Sequence, residues 1–346
     1  MAQPIDYILL GVATLIIVYI LYRMISKSMS ESGQTPPPFN NNPNSAQMKE
    51  LEGVEQSNKG VSITNASFPI SQDNALRNFC IKSSFNSAYT GGYLNLDMVK
   101  YVLQRGCRFL DFQVFIKDNV PIVAYSFDDN KESFSSNPPA LSLGGVFSVI
   151  NMNAFNQMSP NPNDPLFIHL KILSNEPQAP SMVAESIAAS FDDKLYKDPN
   201  TGYAVPIDLN TQMNQLLGKV IILCDQVVTS SPTPSSSSSS NTSSTQLSNY
   251  VNLMVGTPNV RSYTEQQLTY QPITPPNPFP YTFKIVTPNL GFFYGTNNSD
   301  VYYLTQNYGA QVVAQAFYST DSALTQYEEF FNTYKSAFVP MNEIAN

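Results

Sequence analysis

The feature that most constrains this chain is a set of short, near-continuously apolar runs, each tied to a helical pattern. Lys219-Val220-Ile221-Ile222-Leu223-Cys224 and Leu166-Phe167-Ile168-His169-Leu170-Lys171-Ile172-Leu173 are strand-length and apolar almost throughout. Strands of that kind need cover on both faces, as in a parallel sheet wrapped by helices. Between the two, Val183, Ile187, Phe191 and Leu195 keep helical spacing behind Pro180. The same order occurs upstream. Phe79 to Ser83 reads as a short strand. Leu96, Val99 and Leu103 read as a helix, with Asn95 as its N-cap and Gly106 as its stop. Cys107 to Phe115 and Val120 to Tyr125 read as strands, and Thr211 is placed to cap a short helix through Leu217.

From Thr229 to Ser248 the pattern is broken by a stretch that is nearly all Ser, Thr and Pro, including an unbroken Ser235–Ser240 run. Such a segment reads as a solvated loop. Alternation resumes with Tyr250 to Val255, a helix near Glu265, strands at Phe283-Lys284-Ile285-Val286 and Gln311 to Phe317, and a last helix carrying Leu324, Tyr327 and Phe331. Two halves, 76–228 and 250–346, joined by a Ser-rich linker over 229–249, predict one α/β domain over 69–346. A single barrel commonly reaches this size.

The N-terminus is of another kind. Tyr7 to Tyr22 holds no charged residue, and the apolar stretch continues past Arg23 to Ile25. At about 1.5 Å per residue, a helix there comes close to crossing a bilayer core of roughly 30 Å. Residues 1–25 are therefore expected to be a single transmembrane anchor, with Tyr7, Tyr19 and Tyr22 near its ends. Arg23 and Lys27 follow the span and Asp6 precedes it. The positive-inside bias then puts the large domain on the cytoplasmic side. Residues 26–68 are rich in Ser, Pro, Asn, Gln and Glu, with Thr35-Pro36-Pro37-Pro38 and Asn40-Asn41-Asn42. They are expected to form a disordered tether, because so little apolar surface does not offset the entropy of ordering.

The formal net charge of -8 argues against a nucleic-acid partner. Cys80, Cys107 and Cys224 have no metal-ligand spacing and read as small apolar residues of buried strands in a reducing compartment. His169 is the single histidine of the chain, which limits the acid/base chemistry open to it.

Several motifs, taken in order, resemble the X–Y catalytic barrel of phosphoinositide-specific phospholipase C. Ile81-Lys82-Ser83-Ser84-Phe85-Asn86-Ser87-Ala88-Tyr89 resembles a strand ending Ser-Ser-His-Asn-x-x-Tyr. Gly106-Cys107-Arg108-Phe109-Leu110-Asp111-Phe112 resembles Gly-Cys-Arg-x-x-Glu-Leu-Asp, and Pro121-Ile122-Val123-Ala124-Tyr125 resembles Pro-Ile-Val-Tyr-His. Leu217-Gly218-Lys219-Val220-Ile221-Ile222-Leu223 resembles the Gly-Lys-Ile-Leu-Leu that closes the X half. The Ser-rich loop falls at the family's X/Y linker. After it, Ser262-Tyr263-Thr264-Glu265 and Asn307-Tyr308-Gly309-Ala310-Gln311-Val312-Val313-Ala314 resemble Y-half motifs. The resemblance implies a (β/α)8 barrel.

It also implies two catalytic histidines, a calcium ion and a phosphate site. By position, the histidines become Phe85 and Tyr125. The calcium ligands become Asn86, Asp111, Gln113 and Lys171, so two carboxylates are lost and an ammonium is gained. The phosphate-binding lysines become Leu223 and Asp225. Ser262 and Lys284 remain as candidate headgroup contacts, with Val286 where an aromatic ring is the rule. No calcium or other cofactor is expected with this set. Lys171 is expected to pair with Asp111, and His169 to be a satisfied core side chain.

The function that follows is a membrane-tethered, catalytically inactive phospholipase-C-like protein acting as a scaffold or protein-interaction domain. Its Asn/Ser-rich, Trp-free composition resembles that of virion membrane or capsid-associated proteins of large DNA viruses. The competing readings are a phosphoinositide-binding module, for which Lys82, Arg108, Lys171 and Lys284 form a basic mouth, and a phosphodiesterase with a divergent site.

Overall fold

In this computed structural model, residues 45–56, 60–126, 140–225, 246–272, 282–289 and 296–344 are described. The expected span at 7–25 and the linker over 229–245 lie outside them. Among the described residues no helix is long and apolar enough to cross a membrane.

The apolar runs form the strands. One sheet has the order β5 (Leu141–Ser142), β4 (Val120–Val123), β3 (Phe109–Lys117), β6 (Leu166–Ile172), β7 (Val220–Asp225), β8 (Leu253–Val255), with β2 (Ser83–Ser84) also paired to β3. A second has the order β12 (Phe338–Pro340), β1 (Phe79–Ile81), β11 (Val312–Val313), β10 (Phe283–Thr287), β9 (Val260–Thr264). The β3–β6–β7–β8 and β9–β10–β11–β1 pairings are all parallel. Every residue of β6 is buried, as its sequence requires.

Among the described residues the strands of the expected (β/α)8 barrel fall into two sheets that meet at bends, and closure into one barrel is not seen. The chain kinks at Lys82, so that β1 serves one sheet and β2 the other. It kinks again at Gly256, where φ is +93°, between β8 and β9. A single parallel bridge, Ser84 to Gln315, and one antiparallel bridge, Thr257 to Val260, lie at these bends.

Helices pack around the sheets: α1 (Ser45–Gln56), α2 (Leu96–Gln104), α3 (Leu143–Ala154), α4 (Ala179–Phe191), α5 (Glu265–Thr269), α6 (Val301–Tyr308), α7 (Ser322–Tyr334) and α8 (Met341–Ile344). Asn95 caps α2 as expected, accepting from the Asp97 amide at 2.9 Å. Thr211 does not start a helix. A 3-10 turn at Met213–Gln215 stands there, without a side-chain cap.

The tether expected over 26–68 is corrected at its C-terminal end. Helix α1 buries Leu51 and Val54, and Ile63 and Phe68 join the main core. Phe68 meets Phe79 and Phe338 edge-on, at 5.3 and 5.7 Å between ring centres. A side chain at Gly106 would come within 2.9 Å of Ile63, and its φ is +81°, so glycine is required there twice over. A few apolar residues matched to a preformed surface outweigh the polar average of the segment.

Candidate functional site

Strands β3, β6 and β7, with the segments that follow β2 and β4, carry Asp111, Gln113, His169, Lys171, Asp225, Asn86 and Tyr125. β3 and β6 are registered Asp111 to His169 and Gln113 to Lys171, and β6 and β7 His169 to Leu223. Registered partners on parallel strands share a face, so these side chains line the same side of the sheet.

His169 is the centre. It is fully buried, and each ring nitrogen has a carboxylate: Nδ1 lies 2.8 Å from Asp111 Oδ1, and Nε2 2.9 Å from Asp225 Oδ1. Burial opposes the imidazolium, but the charge of Asp225 and the hydrogen bonds of both carboxylates override it and raise the His169 pKa to about 9. At neutral pH both nitrogens therefore donate. Burial raises the Asp225 carboxyl, but His169 and Lys171 outweigh it and hold the pKa below the ordinary value. The partner at the Asp111 carboxylate is thus His169, not the expected Lys171, and the charge of Lys171 bears on Asp225. His169 is the satisfied core residue anticipated. Asp225, read only as a lost lysine, is its second anchor.

This arrangement makes stability depend on pH. The folded pKa of His169 lies above its unfolded value, so its contribution is complete below about pH 6.5 and is lost as pH rises through about 9. The imidazolium should account for about 3 kcal/mol across that window. Urea midpoints measured from pH 6 to 10 should fall, and His169→Gln should flatten the fall. An equally steep fall in the variant would assign the effect elsewhere.

The remaining positions have structural partners. Phe85 is 3% exposed and belongs to the main core. Asn86 sits at φ +44° and donates its backbone N–H to Asp111 Oδ2 at 3.3 Å. Gln113 grips the backbone of Ser126, accepting from its N–H at 2.7 Å and donating to its carbonyl at 3.2 Å. An aspartate there could accept but not donate. Tyr125 stacks on Tyr89, with ring centres 4.3 Å apart and planes 7° from parallel, and Tyr318 meets Tyr89 edge-on at 4.8 Å. Asn86, Phe112, Gln113 and Tyr125 line a narrow cleft with no room for a water molecule.

Calcium does not fit these residues. Both Asp111 oxygens and both ends of the Gln113 amide are engaged, and Lys171 brings a cation to the position of a ligand. Among the described residues, no group of three or more His, Cys, Asp or Glu side chains is arranged to hold a metal ion.

The basic mouth is also corrected, because three of its four cations point into the helical layer. Lys82, fully buried, donates to the Arg105 carbonyl at 2.7 Å and pairs with Glu328 at 2.8 Å. Arg108, fully buried, is bound by the Ala154 and Asn161 carbonyls and by Ser159 Oγ at 2.7 Å. Lys284 donates to the Tyr308 carbonyl at the end of α6 rather than reaching for a headgroup, and burial lowers its pKa. Ser262 is partly exposed on β9, in register with Ile285.

Residues 72–225 match the family described as phosphatidylinositol-specific phospholipase C, X domain. The fold is similar to the crystal structures of L. pealei PLC21 (17% identity, TM-score 0.59) and S. officinalis PLC21 (16% identity, TM-score 0.59). Each alignment covers 81% of this chain but only 38% of the solved chain. No curated protein sequence matches. The chain therefore carries a phospholipase-C-like domain of α/β fold, and the resemblance read from its X-half motifs is borne out.

Proposed function

We infer that this chain is a membrane-anchored phospholipase-C-like domain that does not cleave phosphodiesters and acts through binding, as a scaffold. The observation that carries this reading is the state of His169. Cleavage of this class needs a base for the attacking hydroxyl and an acid for the leaving group, both within reach of substrate. The chain's single imidazole is fully buried and saturated by Asp111 and Asp225. Phe85 has no proton to exchange, and Tyr125 is buried and stacked on Tyr89. The misfit to calcium removes the other source of hydroxyl activation.

The uncharged stretch from Tyr7 to Tyr22 supports the anchor. The inward use of Lys82, Arg108 and Lys284 favours a scaffold over a phosphoinositide-binding module. The test is flotation with liposomes. The full chain should float with phosphatidylcholine vesicles, and adding phosphoinositide should not increase the bound fraction. The chain lacking residues 1–44 should stay at the bottom on both. Phosphoinositide-dependent flotation of the shortened chain would replace the scaffold with a lipid-binding module.

A further inference from the structure

We propose that helix α1 is a strap that holds the mouth shut by pinning the loop after Tyr89. The loop Thr90–Tyr93 follows Tyr89 and closes on itself, with the Thr90 N–H donating to the Tyr93 carbonyl at 2.8 Å. Glu50 of α1 reaches over it. Its half-buried carboxylate lies against the Gly91–Gly92 backbone, and burial raises its pKa while Gly92 and Thr90 oppose the rise. The fit is close: a Cβ at Gly92 would lie 3.0 Å from both carboxylate oxygens, and one at Gly91 3.1 Å from Oε1. The same Gly91 position is 3.8 Å from the side chain of Tyr318. Strap, loop and tyrosine stack therefore lie next to one another, in the order Glu50, Gly91–Gly92, Tyr318, Tyr89, Tyr125.

Two further observations make this a two-state element rather than fixed packing. The closed state buries the Asn86 side-chain amide at 5% exposure with Nδ2 lacking a hydrogen-bond partner, in the cleft that it lines together with Tyr125. A buried donor without an acceptor favours opening, since opening admits water or a solute oxygen to it. The strap is also weakly built. Its buried apolar residues among those described are Leu51 and Val54, Gly53 interrupts it, and Glu52 and Glu55 face solvent. A helix of 12 residues is marginal on its own and depends on such contacts. Releasing Glu50 frees the loop, and with it the tyrosines over Asn86. Because α1 follows directly on the segment from the N-terminal anchor, tension or binding on that segment acts on the mouth.

Hydrogen exchange on the full chain tests this. In Glu50→Ala, amides of 86–94 and 123–126 should exchange roughly 5- to 30-fold faster, the scale on which one contact shifts a local equilibrium. Peptides covering β6 and β7 should keep their protection and report an intact fold. Leu51→Ala frees the helix without touching the loop and should give the same pattern. Rapid exchange of 45–56 with unchanged protection at 86–94 would overturn the proposal, as would unchanged exchange throughout.

Discussion

Replacing His169 with leucine should lower the stability of the domain by about 3–5 kcal/mol, the usual cost of removing one partner from a buried ionic group. The size follows from what remains. Asp111 is 1% exposed and loses the N–H at Oδ1, keeping the longer bond from Asn86 to Oδ2. Asp225 keeps 39% of its side-chain surface and suffers less. The charge of Asp111 should therefore dominate the loss, and adding Asp111→Asn should recover more than half of it. Urea denaturation of the single and double variants reads both numbers. If Asp111→Asn made the leucine variant worse, the carboxylate would not be the source of the penalty.

Arg108→Met should destabilise by a similar amount, about 3–5 kcal/mol, for a related reason. The guanidinium is fully buried, and burial depresses its pKa to about 10 against the opposing charge of Asp164. Methionine fills much of the volume but leaves the Ala154 and Asn161 carbonyls without their donor. Asp164 retains bonds from Asn161 and from the Ala66 backbone, so its carboxylate is not abandoned. Arg108→Lys should recover less than half, since an ammonium cannot reproduce the planar fork that serves three partners. A thermal scan that places the methionine variant within about 2 °C of the parent would contradict this reading, since a loss of about 3–5 kcal/mol shifts the midpoint of a domain of this size by roughly 5–9 °C.

The fold was legible wherever local pattern and burial agree. The helix from Asn95 to Gly106 carried its own start, stripe and stop, and β6 and β7 announced themselves by apolar runs. Helix α3 was hidden because Gly144-Gly145 opens it, and β9, Val260-Arg261-Ser262-Tyr263-Thr264, because it is mostly polar. Helix α1 has only two buried apolar side chains among those described, in a segment of tether-like composition. Its order comes from the surface it meets, which no local window contains.

The site divides in the same way. Motif spacing placed Phe85, Asn86, Asp111, Gln113, Tyr125 and Lys171 at one mouth. It did not pair His169 with Asp225, because that contact depends on the register of strands separated by more than 50 residues (the ring and the carboxylate are |i−j| = 56 apart). Nor could a lysine or arginine be assigned to the mouth or to the helical layer from identity alone. Lys82, Arg108 and Lys284 all went to the layer, where carbonyls and Glu328 need them.

These substitutions act together, so restoring one catalytic group should restore nothing. Phe85→His places an imidazole in a packed core position, with Tyr125, Gln113 and Lys171 unchanged. The most direct measurement is release of cyclic inositol phosphate from phosphatidylinositol vesicles, with calcium and with chelator. It is made on the full chain, on Phe85→His, and on Glu50→Ala with its mouth released. All three are expected to match the protein-free background in both conditions. Release above background by the unmodified chain, dependent on calcium or on Asp111, would contradict the account.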